Sequence, residues 1–364
     1  MKKRRIAIAS VLKPVDDTRA YEKMALTLAA AGHEVFLIGA IGNTAPSHPN
    51  IHFSGIDRFK RIGLKRLLAP LKVWSKVHKV KSDILIVNTH ELLIVAWLNR
   101  ILFGTRVVYD IQENYYQNII WTDAFPPFLR RPVANWVRLK ERLLVPRFDA
   151  VFLAEKGYQK ELSFLPARTV ILENKCVVPA HFKREPVRGK IQLLFSGTLA
   201  ESTGVFHAIN LADQLHAHDA TVHLHIIGYC AREHERQRIR KAIEGKKHIT
   251  LTGGDEHQSH DKIMEAVASA HVGILAYPPS PHIENRIPTK LFEYLACRLP
   301  VIVPQRENWI ALLPHHSFFV VDFEHIHPAL LLRSILTRAS AHYATDDFEW
   351  RSEASKLRDA IGQL

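Results

Sequence analysis

Short apolar runs bounded by polar turns recur along the whole chain, and that recurrence constrains its fold more than anything else. "RRIAIASV" opens the series, an amphipathic stretch follows over 18–31, and "HEVFLIGA" comes next. Residues 83–88, 106–111 and 150–155 repeat the apolar block, with helical segments between them. Strands alternating with helices build a parallel, doubly wound sheet. Ligands of such sheets sit beyond the carboxyl ends of the strands, so the turns there are the places to look for chemistry. The rhythm stops at 178–190, "VPAHFKREPVRGK", a polar, aperiodic stretch with two prolines that reads as a linker. It then restarts, with strands at 191–197, 222–228, 249–253, 272–277 and "VIVP" and helices at 204–216, 232–244 and 259–269. The expected organisation is two tandem Rossmann-like domains, 1–178 and 190–345, facing a central cleft. A final helix over 346–364 follows them.

The chain has 364 residues, enough for two such domains. No uninterrupted apolar run reaches the roughly 18 residues of a membrane span. The start, "MKKRRIAIAS", has the basic-then-apolar look of a signal peptide, but its apolar part ends at Lys13 without a small-residue cleavage site, so a first strand is the better reading. Cys176, Cys230 and Cys297 have neither metal nor disulfide spacing, which fits a reducing cytoplasm. The net charge of +13 belongs to one half: residues 1–180 hold 28 basic and 15 acidic side chains, and 181–364 hold 21 of each. Such asymmetry points to an acidic partner for the first domain only. Its densest run, 58–81, has nine Lys or Arg and no acid, interleaved with Leu67, Leu71 and Trp74 and interrupted by Pro70. The segment reads as a basic amphipathic helix suited to an anionic membrane surface, with Pro70 as its candidate break. Residues 130–147 add six basic side chains and one acid. Nucleic acid is the rival partner, but no nucleic-acid motif is present.

The stretch "ENRIPTKLFEYLACRLPVIVP", 284–304, sets the sharpest question. A helix follows Pro288, yet Lys290 stands in its first turn, where a cation opposes the helix dipole, and Glu293 interrupts an otherwise apolar series. An anion at that helix start would draw Lys290 and the backbone N–H groups together, and Glu293 could accept from vicinal hydroxyls such as those of a ribose. A plain ion pair between the two residues accounts for the same pattern. "FSGTLAESTGV", 195–205, gives a second loop, with Gly197 at a strand end and Gly204 before a helix; every α/β unit has such a turn. In the first domain Thr18 is a plausible N-cap after Asp16 and Asp17, and Arg19 either faces the cleft or pairs with Asp16. His90 and Glu91 follow one strand directly, and Glu113 and Asn114 follow the next. His257 and His260 have an H-x-x-H spacing without a third ligand, so a zinc site is rejected, and no Asp-x-Asp element follows a strand.

Taken together, "VNTHEL", "VVYDIQEN", "FSGTLAESTG" and above all "PTKLFEYLACRLPVIV" resemble glycosyltransferases of the GT-B fold, in particular the family 4-like retaining group, over nearly the whole chain. The resemblance implies a nucleotide-sugar donor in the second domain and an acceptor, often lipid-linked, in the first. It implies that Glu293 holds the ribose and Lys290 the diphosphate, and that His90 stands near the transferred sugar. Asn285 occupies the place of the family's first glutamate, with Glu284 one position off register. Thr198 and Thr203 stand where many members carry an arginine and a lysine, and Arg286, Lys290 and Arg19 are the cations available to compensate.

The expected protein is a metal-independent hexosyltransferase without a cofactor, peripheral on the inner face of the cell membrane and serving cell-envelope polysaccharide. Its candidate catalytic residues are His90, Asn285 and Glu284. Candidate donor residues are Arg19, Gly197, Thr198, Thr203, Arg286, Thr289, Lys290 and Glu293, and Asp16, Asp17 and Glu113 stand on the acceptor side. A sugar-nucleotide epimerase on the same fold, or a non-catalytic binding homologue, are the alternatives.

Overall fold

The computed structural model describes residues 2–41, 47–57, 64–121, 125–280, 286–338 and 343–364. The chain divides into two compact units, Met1–Asn174 with Trp350–Leu364, and Lys175–Glu349. The first unit contains β1 (Arg5–Pro14), α1 (Leu26–Ala30), β2 (Glu34–Ala40), β3 (Ile51–Ile56), α2 (Leu64–Val80), β4 (Ile84–Val87), α3 (Leu93–Phe103), β5 (Arg106–Ile111), α4 (Tyr115–Trp121), α5 (Pro127–Leu144), β6 (Ala150–Leu153), α6 (Tyr158–Glu161) and β7 (Thr169–Ile171). The second contains β8 (Ile191–Thr198), α7 (Val205–His218), β9 (Val222–Tyr229), α8 (Glu233–Ile243), β10 (Ile249–Gly254), α9 (His260–Ser269), β11 (Val272–Ile274), α10 (Thr289–Ala296), β12 (Val301–Val303), α11 (Glu307–Ile310), β13 (Phe318–Val320) and α12 (Pro328–Arg338). The chain then returns to the first unit as α13 (Trp350–Gly362).

Both sheets are parallel throughout, in the orders β3-β2-β1-β4-β5-β6-β7 and β10-β9-β8-β11-β12-β13. The strand order reverses between β1 and β4 in one and between β8 and β11 in the other, which makes those two places the topological switch points where doubly wound sheets open a crevice. β4 and β6 are buried at every position, as strands covered by helices on both faces must be. α13 closes the first unit, with Trp350 Nε1 donating to Thr27 Oγ1 at 2.9 Å.

Four local expectations change. Thr18 makes no cap hydrogen bond; Asp17 does that work, Oδ1 accepting from Ala20 N at 3.1 Å, and the following Arg19–Ala25 segment is π-helical. Pro70 does not break α2, because Ala69, Val73 and Val77 are buried and hold the helix on the sheet despite the lost backbone donor. Residues 178–190 are not a free linker: Glu185 N and Val187 N donate to Ala268 O and Ser269 O, and Arg184 donates to Ala270 O and Arg298 O. Finally, Arg19 neither faces a ligand site nor pairs with Asp16. It is 3% exposed, it pairs with Asp110 (1% exposed) at 2.6 Å, and its Nη1 donates to Leu172 O at 2.9 Å. A charge taken so far from water holds only with its partner in place. Asp110→Ala is therefore expected to destabilise the first unit by about 3–5 kcal/mol, and Arg19→Met added to it to restore part of that loss in denaturant melts. An Asp110→Ala protein as stable as the wild type would show that the pair is dispensable.

Candidate functional site

In the second unit, residues far apart in sequence meet at the carboxyl end of β8. Gly197 pairs in register with Gly228 of β9, which pairs with Gly253 of β10. The strands approach so closely that a Cβ on Gly228 would lie 1.8 Å from the Gly197 carbonyl oxygen. Gly197 itself has φ +105°, and a Cβ there would stand 2.6 Å from Lys290 Cε. That φ favours glycine, and with no side chain there the lysine stem lies directly across it.

α10 is fixed in that position by its buried face. Leu291, Phe292, Tyr294 and Leu295 are core residues, and the Tyr294 hydroxyl shares a 2.9 Å hydrogen bond with Ser196 Oγ on β8. Burial, and after it the Glu293 charge, pushes the Tyr277 hydroxyl up to about 12. Lys290 Nζ and Glu293 Oε2 are 2.8 Å apart, with side chains 16% and 14% exposed. The ion pair weighed from the sequence is thus present, at the start of a helix whose N-cap, Pro288, offers no side-chain hydrogen bond. Thr289 is the first residue of that helix.

The approach to α10 is tied down by Trp309, which is fully buried and donates to Arg286 O at 2.7 Å. Arg306 lies over the indole and donates to the carbonyls of Tyr277 and Pro278. Glu284 and Asn285 lie outside the described residues. In the loop after β8, the Thr203 hydroxyl accepts from Ala200 N at 3.2 Å and donates to Thr198 O at 2.8 Å. Thr203 thus shapes the loop instead of presenting a free hydroxyl, and the Thr198 side chain is exposed. Sequence reading missed the Tyr229–His257 stack beyond β9, with ring centroids 3.9 Å apart; an aromatic residue directly after "HIIG" was the available signal.

In the first unit His90 begins a short turn after β4, on the switch-point side of the sheet. Its ring stands edge-on to Tyr115, and Lys140 Nζ lies 3.4 Å from Nδ1 and donates to the His90 carbonyl at 3.1 Å. An ammonium only donates, so Nδ1 accepts and the proton sits on Nε2, 3.6 Å from a Glu91 carboxylate oxygen. Arg66 holds the other oxygen of Glu91. Burial opposes ionisation of Glu91, but His90 and Arg66 keep it below its ordinary range. Asp17 is 3.8 Å from Lys13 and spends its other oxygen on the helix start; Glu113 is exposed and accepts from Asn118; Asp16 is half-buried in the turn. A separate basic cavity of about 600 Å³, lined in part by Lys2, Lys3, Lys81 and Arg106, lies at the opposite ends of the strands from His90.

Two groups in this polar cluster titrate against each other. Burial lowers His90 from 6.5 to about 4, so in that range the unfolded chain binds the extra proton and stability rises with pH. Burial raises Glu141 from 4.5 to about 7, so there the folded chain holds the extra proton and stability falls as pH rises. Glu141→Gln removes only the second effect. Its melting temperature minus that of the wild type should be near zero at about pH 4.5 and grow to a plateau above about pH 7. A difference independent of pH would mean that Glu141 is ionised throughout.

Residues 179–322 match the family model of glycosyl transferases group 1. No curated protein matches the sequence. Among solved structures, sucrose-phosphate synthase from Thermosynechococcus elongatus superposes with a TM-score of 0.73 at 16% identity, over 100% of this chain and 99% of that one. HepE of Anabaena in complex with UDP and glucose gives 0.68 at 14%, over 99% of this chain and 100% of the other. The catalytic domain of starch synthase IV from Arabidopsis thaliana, bound to ADP and acarbose, gives 0.66 at 11%, over 100% and 99%. At such identities the likeness speaks for architecture: the chain has the GT-B glycosyltransferase fold, and its second unit carries the group 1 sequence match.

Proposed function

We propose that the protein is a retaining, metal-independent glycosyltransferase that moves a hexosyl group from a nucleotide-sugar donor to a lipid-linked or cell-surface glycan acceptor. The observation that carries the reading is the Lys290–Glu293 pair lying over Gly197 at the first turn of α10. Without ligand the two side chains satisfy one another. With a nucleoside diphosphate in place, Lys290 and the helix N-terminus turn to the phosphates and Glu293 accepts from the ribose hydroxyls. As the glycosidic bond to the diphosphate breaks, positive charge grows on the sugar and negative charge on the leaving group. Lys290 and the helix end stabilise the latter, an electrostatic form of catalysis. Thr289 and Arg286 border this place, Glu284 and Asn285 precede it, and the neutral His90, with its proton on Nε2, supplies a hydrogen bond to the sugar. The nucleotide ligands of the HepE and starch synthase structures support a nucleotide-linked donor. The basic first unit supports an acidic, membrane-held acceptor and a peripheral place on the cytoplasmic face of the cell membrane, in cell-envelope polysaccharide synthesis.

Calorimetry with nucleoside diphosphates tests the donor site. Glu293→Ala should weaken binding by about 1.5–3 kcal/mol, the value of hydrogen bonds to a charged group. Lys290→Ala should weaken the diphosphate but not the free nucleoside; equal losses for both would remove Lys290 from the phosphate site. Binding of the donor without turnover on any acceptor would identify a non-catalytic homologue.

His90→Ala should leave nucleoside diphosphate affinity unchanged, because that affinity resides in the second unit, and lower turnover by roughly 100-fold, as loss of one stabilising donor does. A fully active His90→Ala enzyme would exclude His90 from the reaction.

A further inference from the structure

α5 buries two charged residues along with Ala134 and Val137, and exposes large apolar ones. Its charged residues Lys140 and Glu141 point into the protein and are buried, beside His90 and Tyr109, while Phe128, Trp136, Leu139 and Leu143 are exposed. With Pro132 these four fall at spacings of four, four, three and four, which is one continuous stripe along the helix. Phe128 is 77% exposed and Trp136 55%. α3 packs beside α5 and leaves Ile94 and Ile101, one heptad apart, exposed as well. Among the described residues, all but one of the large apolar side chains that the first unit exposes belong to α2, α3, α4 and α5. The second unit exposes only scattered ones.

The charge on these helices has one sign. Their sequences hold a single acidic residue, the buried Glu141, against basic residues on α2, α3 and α5 that include the exposed Arg131, Arg142, Lys72 and Lys79. An apolar stripe alone suits any partner, and a basic surface alone suits any polyanion. The combination suits an anionic lipid bilayer, whose headgroups meet the cations while its acyl boundary accepts the aromatic and aliphatic side chains. A second copy would bring like charges face to face, and a nucleic acid would leave the stripe in water.

We propose that the exposed face of α3 and α5 is the membrane-docking surface of this protein, with Phe128, Trp136, Leu139 and Leu143 inserted at the interface of an anionic leaflet and the helix lying parallel to it. The stripe spans about 22 Å, long enough to anchor the unit along the plane of the bilayer. The inference rests on the reading of a membrane-held acceptor, and it moves the main contact from 58–81 to α5. In α2, which packs beside α3, Leu68 and Leu71 are exposed, whereas Trp74 is half-buried and Val73 belongs to the core.

The experiment is sedimentation of the full chain with vesicles of phosphatidylcholine alone or with about a quarter phosphatidylglycerol, in low salt and in about 0.5 M salt. The wild type should bind the anionic vesicles, bind neutral ones less, and be weakened but not released by salt, with Trp fluorescence shifted to the blue. Trp136→Ser with Leu139→Ser and Leu143→Ser should lower the partition coefficient by roughly 100-fold, and Arg131→Gln with Arg142→Gln by about tenfold on anionic vesicles only. Both variants should keep the wild-type melting temperature and nucleoside diphosphate affinity. No binding by the wild type at low salt, or a triple serine variant that binds like the wild type, overturns the proposal. So does a wild-type dimer that the triple variant dissolves and that ignores vesicles. If vesicle binding fails while nucleoside diphosphate binding persists, this inference falls and the donor-site reading stands.

Discussion

The arrangement in the second unit depends on how closely α10 can approach the end of β8. Gly197 and Gly228 let two strand ends and a lysine stem occupy space that any side chain would fill. Tyr294 then locks the helix to β8 through Ser196. Trp309 and Arg306 fix the two backbone segments that flank the start of the helix. Tyr294 and Trp309 are buried polar side chains that each find a partner there, which ties the helix to one geometry. The reward is that Lys290 and Glu293, two long flexible side chains, are already held at the first turn before any ligand arrives. Pre-ordered groups lose less entropy on binding than free ones do.

The first unit solves a different problem with the same economy. Arg19–Asp110 and the cluster around His90 put several charges beneath the surface at the carboxyl edge of its sheet. Burying them is costly, and each has a named partner: the Asp110 carboxylate for Arg19, the Arg66 guanidinium for Glu91, and a hydrogen bond to the His90 carbonyl for Lys140. The consequence reaches the outside of α5. A helix that turns Lys140 and Glu141 inward has fewer polar residues left for solvent, and its outer stripe is apolar.

Much of this was legible from the chain alone. The doubly wound pattern was, because β-branched blocks such as "ILIV" and "VIV" are buried on both faces and carry no polar interruption. The α10 helix was, because Lys290 and Glu293 contradict an otherwise apolar period. β3 was not: "IHFSGI" lies at the sheet edge beside β2, and its partly exposed positions give no strong run. The partner of Arg19 was not legible either, since Asp110 is 91 residues away and Asp16 stood nearer in sequence. Nor was the use of residues 178–190, whose hydrogen bonds go to backbone carbonyls that no sequence pattern marks.

The basic charge of the first half teaches the same lesson in a subtler way. Counting Lys and Arg located the surplus correctly but weighted every cation alike. In the folded unit Lys140 is buried, Arg66 is spent on Glu91, Arg138 sits against Glu141, and Arg100 pairs with Asp149. Those charges hold the fold together and are not offered to a partner. What remains outside, Arg131 and Arg142 on α5 and Lys79 on α2, stands on the helices that also expose large apolar side chains, whereas Lys72 pairs with Asp57. A surplus of charge is the ground for proposing an acidic partner. Which cations have already been claimed inside the protein decides where that partner can sit, and only the fold supplies that.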